Sequence, residues 1–85
     1  MKEINYQTSG TCSRLIHVVL DDENIIKECY FIGGCNGNLQ GISKLVVGQK
    51  AQDVIDRVKG ISCNGRPTSC PDQLSLALTE ALSQN

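Results

Sequence analysis

The chain has 85 residues, 40% hydrophobic and 20% charged, with a formal net charge of −1 at pH 7. This length supports one modest core, so we expect residues 1–85 to form a single domain. The charge balance offers no basic excess to neutralise phosphates, so a nucleic-acid partner is not expected. No apolar run approaches the roughly 20 residues that span a bilayer, and the N-terminal residues do not include the apolar run of a signal peptide. We therefore expect a cytoplasmic protein with no membrane association.

Two segments in the first half predict a β-hairpin. Residues 13–20 (SRLIHVVL) and 24–32 (NIIKECYFI) are rich in β-branched and aromatic residues and flank a polar turn. A shorter segment, 4–8, predicts a third strand beside them. If the turn is centred between Asp22 and Glu23, residues whose numbers sum to about 45 face one another across the hairpin.

Three helices are predicted after the strands, from apolar residues that recur at helical spacing. A glycine ends each of the first two, at Gly48 and Gly60, and Pro71 opens the third. Strands followed by helices predict an α+β fold, with a small antiparallel sheet of two to three strands and three helices packed on one face. The apolar positions are Leu39, Ile42, Leu45 and Val46, then Val54, Ile55 and Val58, then Leu74, Ala77, Leu78, Ala81 and Leu82.

Five cysteines, at positions 12, 29, 35, 63 and 70, are many for a chain of this size. A reducing compartment disfavours structural disulfides, so this density indicates metal ligation or thiol chemistry. The predicted hairpin register places Cys12 near position 33 and so close to Cys35. The same register places Cys29 opposite Ile16 in mid-strand, which assigns Cys29 to the packed body of the sheet.

The other two cysteines flank the predicted start of the third helix. Pro71 at the first helical position would make Cys70 the N-cap, where backbone N–H groups and the helix dipole favour a thiolate. Glycine and proline between Cys63 and Cys70 allow the chain to fold back, so that both sulfurs point at one centre. The hydroxyls of Thr68 and Ser69 are expected to hydrogen-bond to these sulfurs.

Four cysteines therefore form a candidate tetrathiolate site: Cys12, Cys35, Cys63 and Cys70. Such a site suits Zn²⁺, Fe²⁺ or an iron–sulfur cluster. Two internal disulfides, for example between Cys12 and Cys35, remain an alternative after oxidation. Asp72, in the first turn of the helix, is interpreted as compensating the helix dipole and not as a ligand.

The pentapeptide TSCPD at 68–72, together with the cysteines at 12, 35, 63 and 70, resembles the small four-cysteine bacterial members of the TSCPD-domain family. The resemblance covers essentially the whole chain. It implies a domain that occurs alone or as a C-terminal module of some vitamin B12-dependent ribonucleotide reductases, with metal bound through its cysteines. It also implies a protein partner linked to ribonucleotide reduction. The chain is too short for the reductase barrel, so no reductase activity is carried over.

The order of strands, GGC segment, helices and final SCPD helix is also similar to iron–sulfur scaffold proteins of the NifU and IscU type. By that comparison, Cys35 and Cys70 match the first and last scaffold cysteines. Cys63 departs from the scaffold pattern because it stands just before Cys70, and Cys12 has no counterpart.

Three functions follow as hypotheses. The leading one is a metal-binding module without catalytic activity, since His17, the only histidine, is expected to be a satisfied strand residue and not a base for a nucleophilic thiol. The alternative is a thiol redox or iron–sulfur carrier protein that accompanies ribonucleotide reductase. The third is an interaction module that uses the exposed side of the last helix, including Leu76.

Overall fold

The fold was obtained as a computed structural model, which describes residues 1–11, 13–34, 36–62, 65 and 67–84, with Asn36 described by its backbone alone. The elements are β1 (Lys2–Gln7), β2 (Ser13–Leu20), β3 (Ile26–Gly33), α1 (Asn36–Val46), α2 (Ala51–Val58) and α3 (Cys70–Leu82). The predicted α+β order of strands and then helices is confirmed. Across these described ranges, none of the helices combines the length and the apolar character needed to cross a bilayer.

The sheet is antiparallel in the order β1-β2-β3, and the helices cover one of its faces. Helix α3 packs against β1 and β2, α1 packs against β3, and α2 packs against α3. On the opposite face, the ring of His17 stacks on Tyr30 with centroids 4.7 Å apart. The Nδ1 atom of His17 lies 2.7 Å from Asn5 Oδ1, which confirms the prediction that this histidine is satisfied within the sheet.

The predicted hairpin register is wrong by two residues, because Cys29 pairs with Val18 and not with Ile16. One residue of this difference comes from the turn, and the other comes from an irregularity in the strand pairing at the end of β2 next to the turn. Asn24 adopts a left-handed conformation with φ 64°, and its N–H donates to Asp21 O over 2.9 Å. A turn followed by one left-handed residue forms a three-residue loop, for which asparagine is well suited. The loop moves the centre of the hairpin towards the C-terminus, but Cys29 remains in mid-strand.

The apolar stripes predicted for α2 and α3 are confirmed, with Val58 and Leu82 partly buried at their margins. The stripe predicted for α1 is wrong at one position, since Leu45 is 77% exposed. Each helical residue is rotated about 100° from the last, so Leu45 cannot share the inward direction of Leu39 and Val46, which are seven residues apart. Leu39 and Val46 are buried and hold α1 against the core.

Candidate metal site

The first turn of α3 is capped by Ser69 and not, as predicted, by Cys70. Ser69 has extended backbone angles (φ −151°, ψ 171°), and its hydroxyl accepts a hydrogen bond from the Asp72 N–H over 3.1 Å. A serine oxygen is a better acceptor for a helix N–H than a thiol is, which explains the difference. Cys70 is therefore the first helical residue, and Pro71 follows it within the first turn.

The thiol of Cys70 lies inside the protein, against the start of β2. Its Sγ atom is 3.3 Å from the hydroxyl oxygen of Ser13, and Cys70 and Ser13 are 9% and 3% exposed. This contact joins the first residue of α3 to the first residue of β2, across 57 positions of the chain. Ser13 was not among the predicted site residues, although its place directly after Cys12 at the start of a strand is the signal that could have found it.

A network of hydrogen bonds holds the segment before α3 in place. The Thr68 hydroxyl donates to Asp72 Oδ2 over 2.5 Å, and the Gly60 N–H donates to Asp72 Oδ1 over 2.6 Å. Gln73 Nε2 donates to Thr68 Oγ1 over 3.0 Å, and Gln73 Oε1 accepts from the Ser9 N–H over 3.2 Å. The network thus ties the loop before β2 and the end of α2 to the first turn of α3. Gln73 was missed because a glutamine in a helix gives no sign of being buried.

The expectation that Thr68 and Ser69 donate to the site's sulfurs does not hold. The Thr68 hydroxyl donates its one proton to Asp72, and the Ser69 hydroxyl donates to the Ile61 carbonyl oxygen over 2.6 Å. Each hydroxyl carries a single proton, so neither can also donate to a thiolate. Both side chains instead fix the backbone on which Cys70 stands. The two carboxylate oxygens of Asp72 accept hydrogen bonds from Gly60 and Thr68, which agrees with the prediction that Asp72 is a structural residue and not a ligand.

Of the four predicted ligands, Cys70 is described, whereas Cys12, Cys35 and Cys63 lie outside the described residues. Within the ranges that the structure does describe, no group of three or more Cys, His, Asp or Glu side chains is arranged to hold a metal ion. The surroundings of the candidate site are thus defined by Cys70 and by the described sequence neighbours of the other three cysteines.

Those neighbours meet around the start of α3. Ser13, which follows Cys12 in sequence, contacts Cys70 and pairs with Gly33 in the sheet. Gly33 stands two residues before Cys35 in sequence. Ile61, two residues before Cys63 in sequence, accepts the hydrogen bond from Ser69, the residue directly before Cys70. The fold thus brings together three segments that are far apart in sequence.

Cys29 belongs to a different environment. It is 8% exposed in the core of the sheet, and burial raises the pKa of its thiol from 9.0 to about 11, although a hydrogen bond with Ser43 acts in the opposite direction. A thiol with this pKa stays protonated at neutral pH and is a poor ligand or nucleophile. The assignment of Cys29 to the packed body of the sheet is confirmed.

The raised pKa of Cys29 predicts a loss of stability in alkali. Folding favours the protonated thiol, so this contribution is complete below pH 9.0 and disappears as the pH rises through about 11. One pH unit above the ordinary pKa, the free energy of unfolding is expected to have fallen by about 1 kcal/mol from this source. Urea unfolding of the wild type and of Cys29→Ala across this range measures the difference. Parallel pH profiles in the two proteins would contradict the prediction.

A family model described as the TSCPD domain matches residues 2–82 of the chain. The chain belongs to the TSCPD domain family. The pentapeptide of this TSCPD domain, residues 68–72, is the segment in which Thr68, Ser69 and Asp72 form the hydrogen bonds described above. Comparison with curated proteins and with solved structures finds no match. The likeness to iron–sulfur scaffold proteins stays a prediction.

Proposed function

We propose that this TSCPD domain is a metal-binding module, in which the thiolates of Cys12, Cys35, Cys63 and Cys70 hold one Zn²⁺ ion or one iron or iron–sulfur centre. The observation that carries the proposal is the contact of 3.3 Å between Cys70 Sγ and Ser13 Oγ. It brings the residue that follows Cys12 into direct contact with the fourth ligand of the proposed set. The proposal includes a reducing, cytoplasmic setting, in which thiols stay available for metal.

Distances along the chain support the convergence of the four ligands. Consecutive Cα atoms are about 3.8 Å apart, so two residues cover at most about 7 Å. Each of the three other cysteines is one or two positions from Ser13, Gly33 or Ile61. Ser13 contacts Cys70, Gly33 pairs with Ser13, and Ile61 accepts a hydrogen bond from the residue before Cys70. These short separations along the chain agree with four ligands of one tetrahedral site.

The chemistry of the described ligand agrees with a soft metal ion. Cys70 is a buried sulfur at the first position of a helix, where backbone N–H groups have no partner within the helix and the dipole favours negative charge. Four thiolates suit Zn²⁺, Fe²⁺ and iron–sulfur clusters, and when bound the metal would cross-link the three segments. A domain of 85 residues gains from such a cross-link because its core is small.

Elemental analysis together with an absorption spectrum of anaerobically purified protein tests the proposal. We expect one metal centre per chain, colourless if it is Zn²⁺ and coloured if it is iron–sulfur. Protein that carries no metal, and that binds neither added Zn²⁺ nor added Fe²⁺ under reducing conditions, would contradict it. A visible chromophore that bleaches readily and passes to an acceptor would instead favour the redox or iron–sulfur carrier function, with a partner linked to ribonucleotide reduction.

A further inference from the structure

Strand β3 lies at the edge of the sheet and leaves most of its outer side open. At its start, the Ile26 N–H donates to Gln49 O over 2.9 Å, and Ile26 O accepts from the Gly48 N–H over 2.8 Å. From Lys27 to Gly33, no further backbone bond is made to this edge by any residue that the structure describes. Alternate residues of a strand direct their N–H and C=O groups outward, so this stretch presents a row of donors and acceptors.

At the opposite edge of the sheet, one side chain from near the C-terminus reaches the backbone. Strand β1 forms that edge, and Gln84 Nε2, just beyond α3, donates to the backbone oxygen of Glu3 over 3.1 Å. Helix α3 also packs against β1. Proteins commonly cover or occupy an edge strand to prevent pairing with other chains. A single side-chain bond leaves most of the β1 edge open to the other described residues as well, so the groove beside β3 is what distinguishes the two edges.

A groove of about 730 Å³ runs between the open edge of β3 and helix α1. Phe31 and Gly33 line it from the strand, and Leu39, Gln40, Ser43 and Lys44 line it from the helix. Leu39 is buried and Phe31 is partly buried, so they form an apolar floor. Among the described lining residues, Lys44 alone carries a charge, and that charge is positive.

We propose that this groove receives an extended segment of a partner protein, which adds to the sheet as a fourth strand beside β3 and presents a carboxylate to Lys44. The backbone of the segment would satisfy the open donors and acceptors, and every second side chain would enter the groove over Phe31 and Leu39. The carboxylate, on an acidic side chain of the segment, follows from Lys44, the one cationic residue among the described residues of the lining. This interaction does not depend on the proposed metal site.

A second copy of the chain fits the groove less well than a lone strand. If two β3 strands paired in antiparallel fashion about a two-fold axis, equivalent faces of the two sheets would lie on the same side. The face of β3 directed towards the groove is already covered by its own α1 in each copy. The second strand would therefore bring a helix into the place where the groove has room for side chains only.

Panning a library of random octapeptides against the full-length protein tests the proposal. We expect enriched peptides that alternate β-branched and polar residues and carry a carboxylate at a constant position. Bound peptide is expected to shift the backbone amide NMR signals of β3 and α1. Two methylated versions of the peptide separate the two edges of the bound strand, one methylated at the odd-numbered and one at the even-numbered backbone nitrogens. Only one of these two sets of nitrogens faces β3, so one version should lose about tenfold or more in affinity and the other should lose little. Each enriched peptide is then compared with a free-acid and with an amidated C-terminus, which shows whether the carboxylate is on a side chain or at the C-terminus.

Two matched charge reversals complete the test. Lys44→Glu is expected to weaken binding about tenfold, whereas Lys59→Glu, an exposed lysine at the end of α2, should leave the affinity within about twofold. The proposal is overturned if no peptide binds, if methylation in both registers has the same effect, or if the shifted amides lie outside β3 and α1. Concentration-dependent dimerisation by light scattering, with shifts confined to β3, would assign the edge to a second copy instead.

Discussion

Cys70→Ala is expected to abolish stoichiometric metal binding and to remove the stability that bound metal supplies. At a metal concentration about 100 times the dissociation constant of the wild type, that linked stability amounts to about 2.7 kcal/mol. The effect is large because loss of one thiolate opens a four-ligand site and leaves three ligands with their mutual repulsion. Metal content per chain and the urea midpoint with and without added Zn²⁺ measure the two parts of the prediction.

Cys29→Ala is the matched control, since Cys29 and Cys70 are both buried cysteines of similar exposure. Each substitution removes one sulfur from the interior, and the cost of the small cavity is expected to be similar. Metal content should remain unchanged in Cys29→Ala, and added Zn²⁺ should still raise its urea midpoint. If both variants retain metal, or if both lose it, Cys70 is not a specific ligand and the proposed site is wrong.

Asp72→Ala is expected to destabilise the domain by roughly 2 to 4 kcal/mol and to weaken metal binding about tenfold. The carboxylate accepts from the Gly60 N–H and from the Thr68 hydroxyl, so its loss leaves two donors without their acceptor. Thr68 in turn accepts from Gln73, which bonds to the loop before β2. Removal of Asp72 should therefore loosen the loops that carry the proposed ligands as well as the helix start.

Asp53→Ala separates this network effect from a general helix effect. Asp53 is an exposed acidic residue in the first turn of α2, so its substitution removes the same favourable charge at a helix N-terminus. That change alone should lower the free energy of unfolding by about 0.5 kcal/mol and leave the metal affinity equal to that of the wild type. Equal losses of stability in Asp53→Ala and Asp72→Ala, by urea unfolding, would mean that the hydrogen bonds of Asp72 contribute nothing beyond the dipole.

Much of the fold could be predicted from local signals. The stripe from Leu74 to Ala81 has helical spacing, and β-branched residues mark the two strands of the hairpin, so element types followed from periodicity and side-chain shape. The register did not, because it depended on Asn24 adopting a left-handed conformation, which lengthens the loop by one residue, and on a pairing irregularity between Val19 and Leu20, which adds a second. The exposure of Leu45 was missed because four apolar residues were assigned to one stripe that has room for fewer.

The four-cysteine site stays a prediction, and the hydrogen bonds that hold the start of α3 could not be predicted from the sequence. The choice of Cys70 over Cys29 rested on the helix start and on mid-strand placement, and both features are present in the fold. The capping residue was misassigned because Ser69 and Cys70 both stand before a proline, and only geometry distinguishes which one accepts the Asp72 N–H. Gln73 gave no signal, since its role depends on a contact across 64 positions of the chain. Ser13 was marked only by its place after Cys12, and its contact with Cys70 spans 57 positions.

Local sequence signals were sufficient to predict the order of strands and helices and the family, and they show five cysteines. Each of these follows from local spacing or from residue type, which do not require distant parts of the chain to meet. Only the tertiary structure decided that Cys70 contacts the start of β2 and that β3 keeps an open edge beside α1. These features arise from packing between segments remote in sequence, where the contacts are chosen by the burial of the whole core and not by any one element.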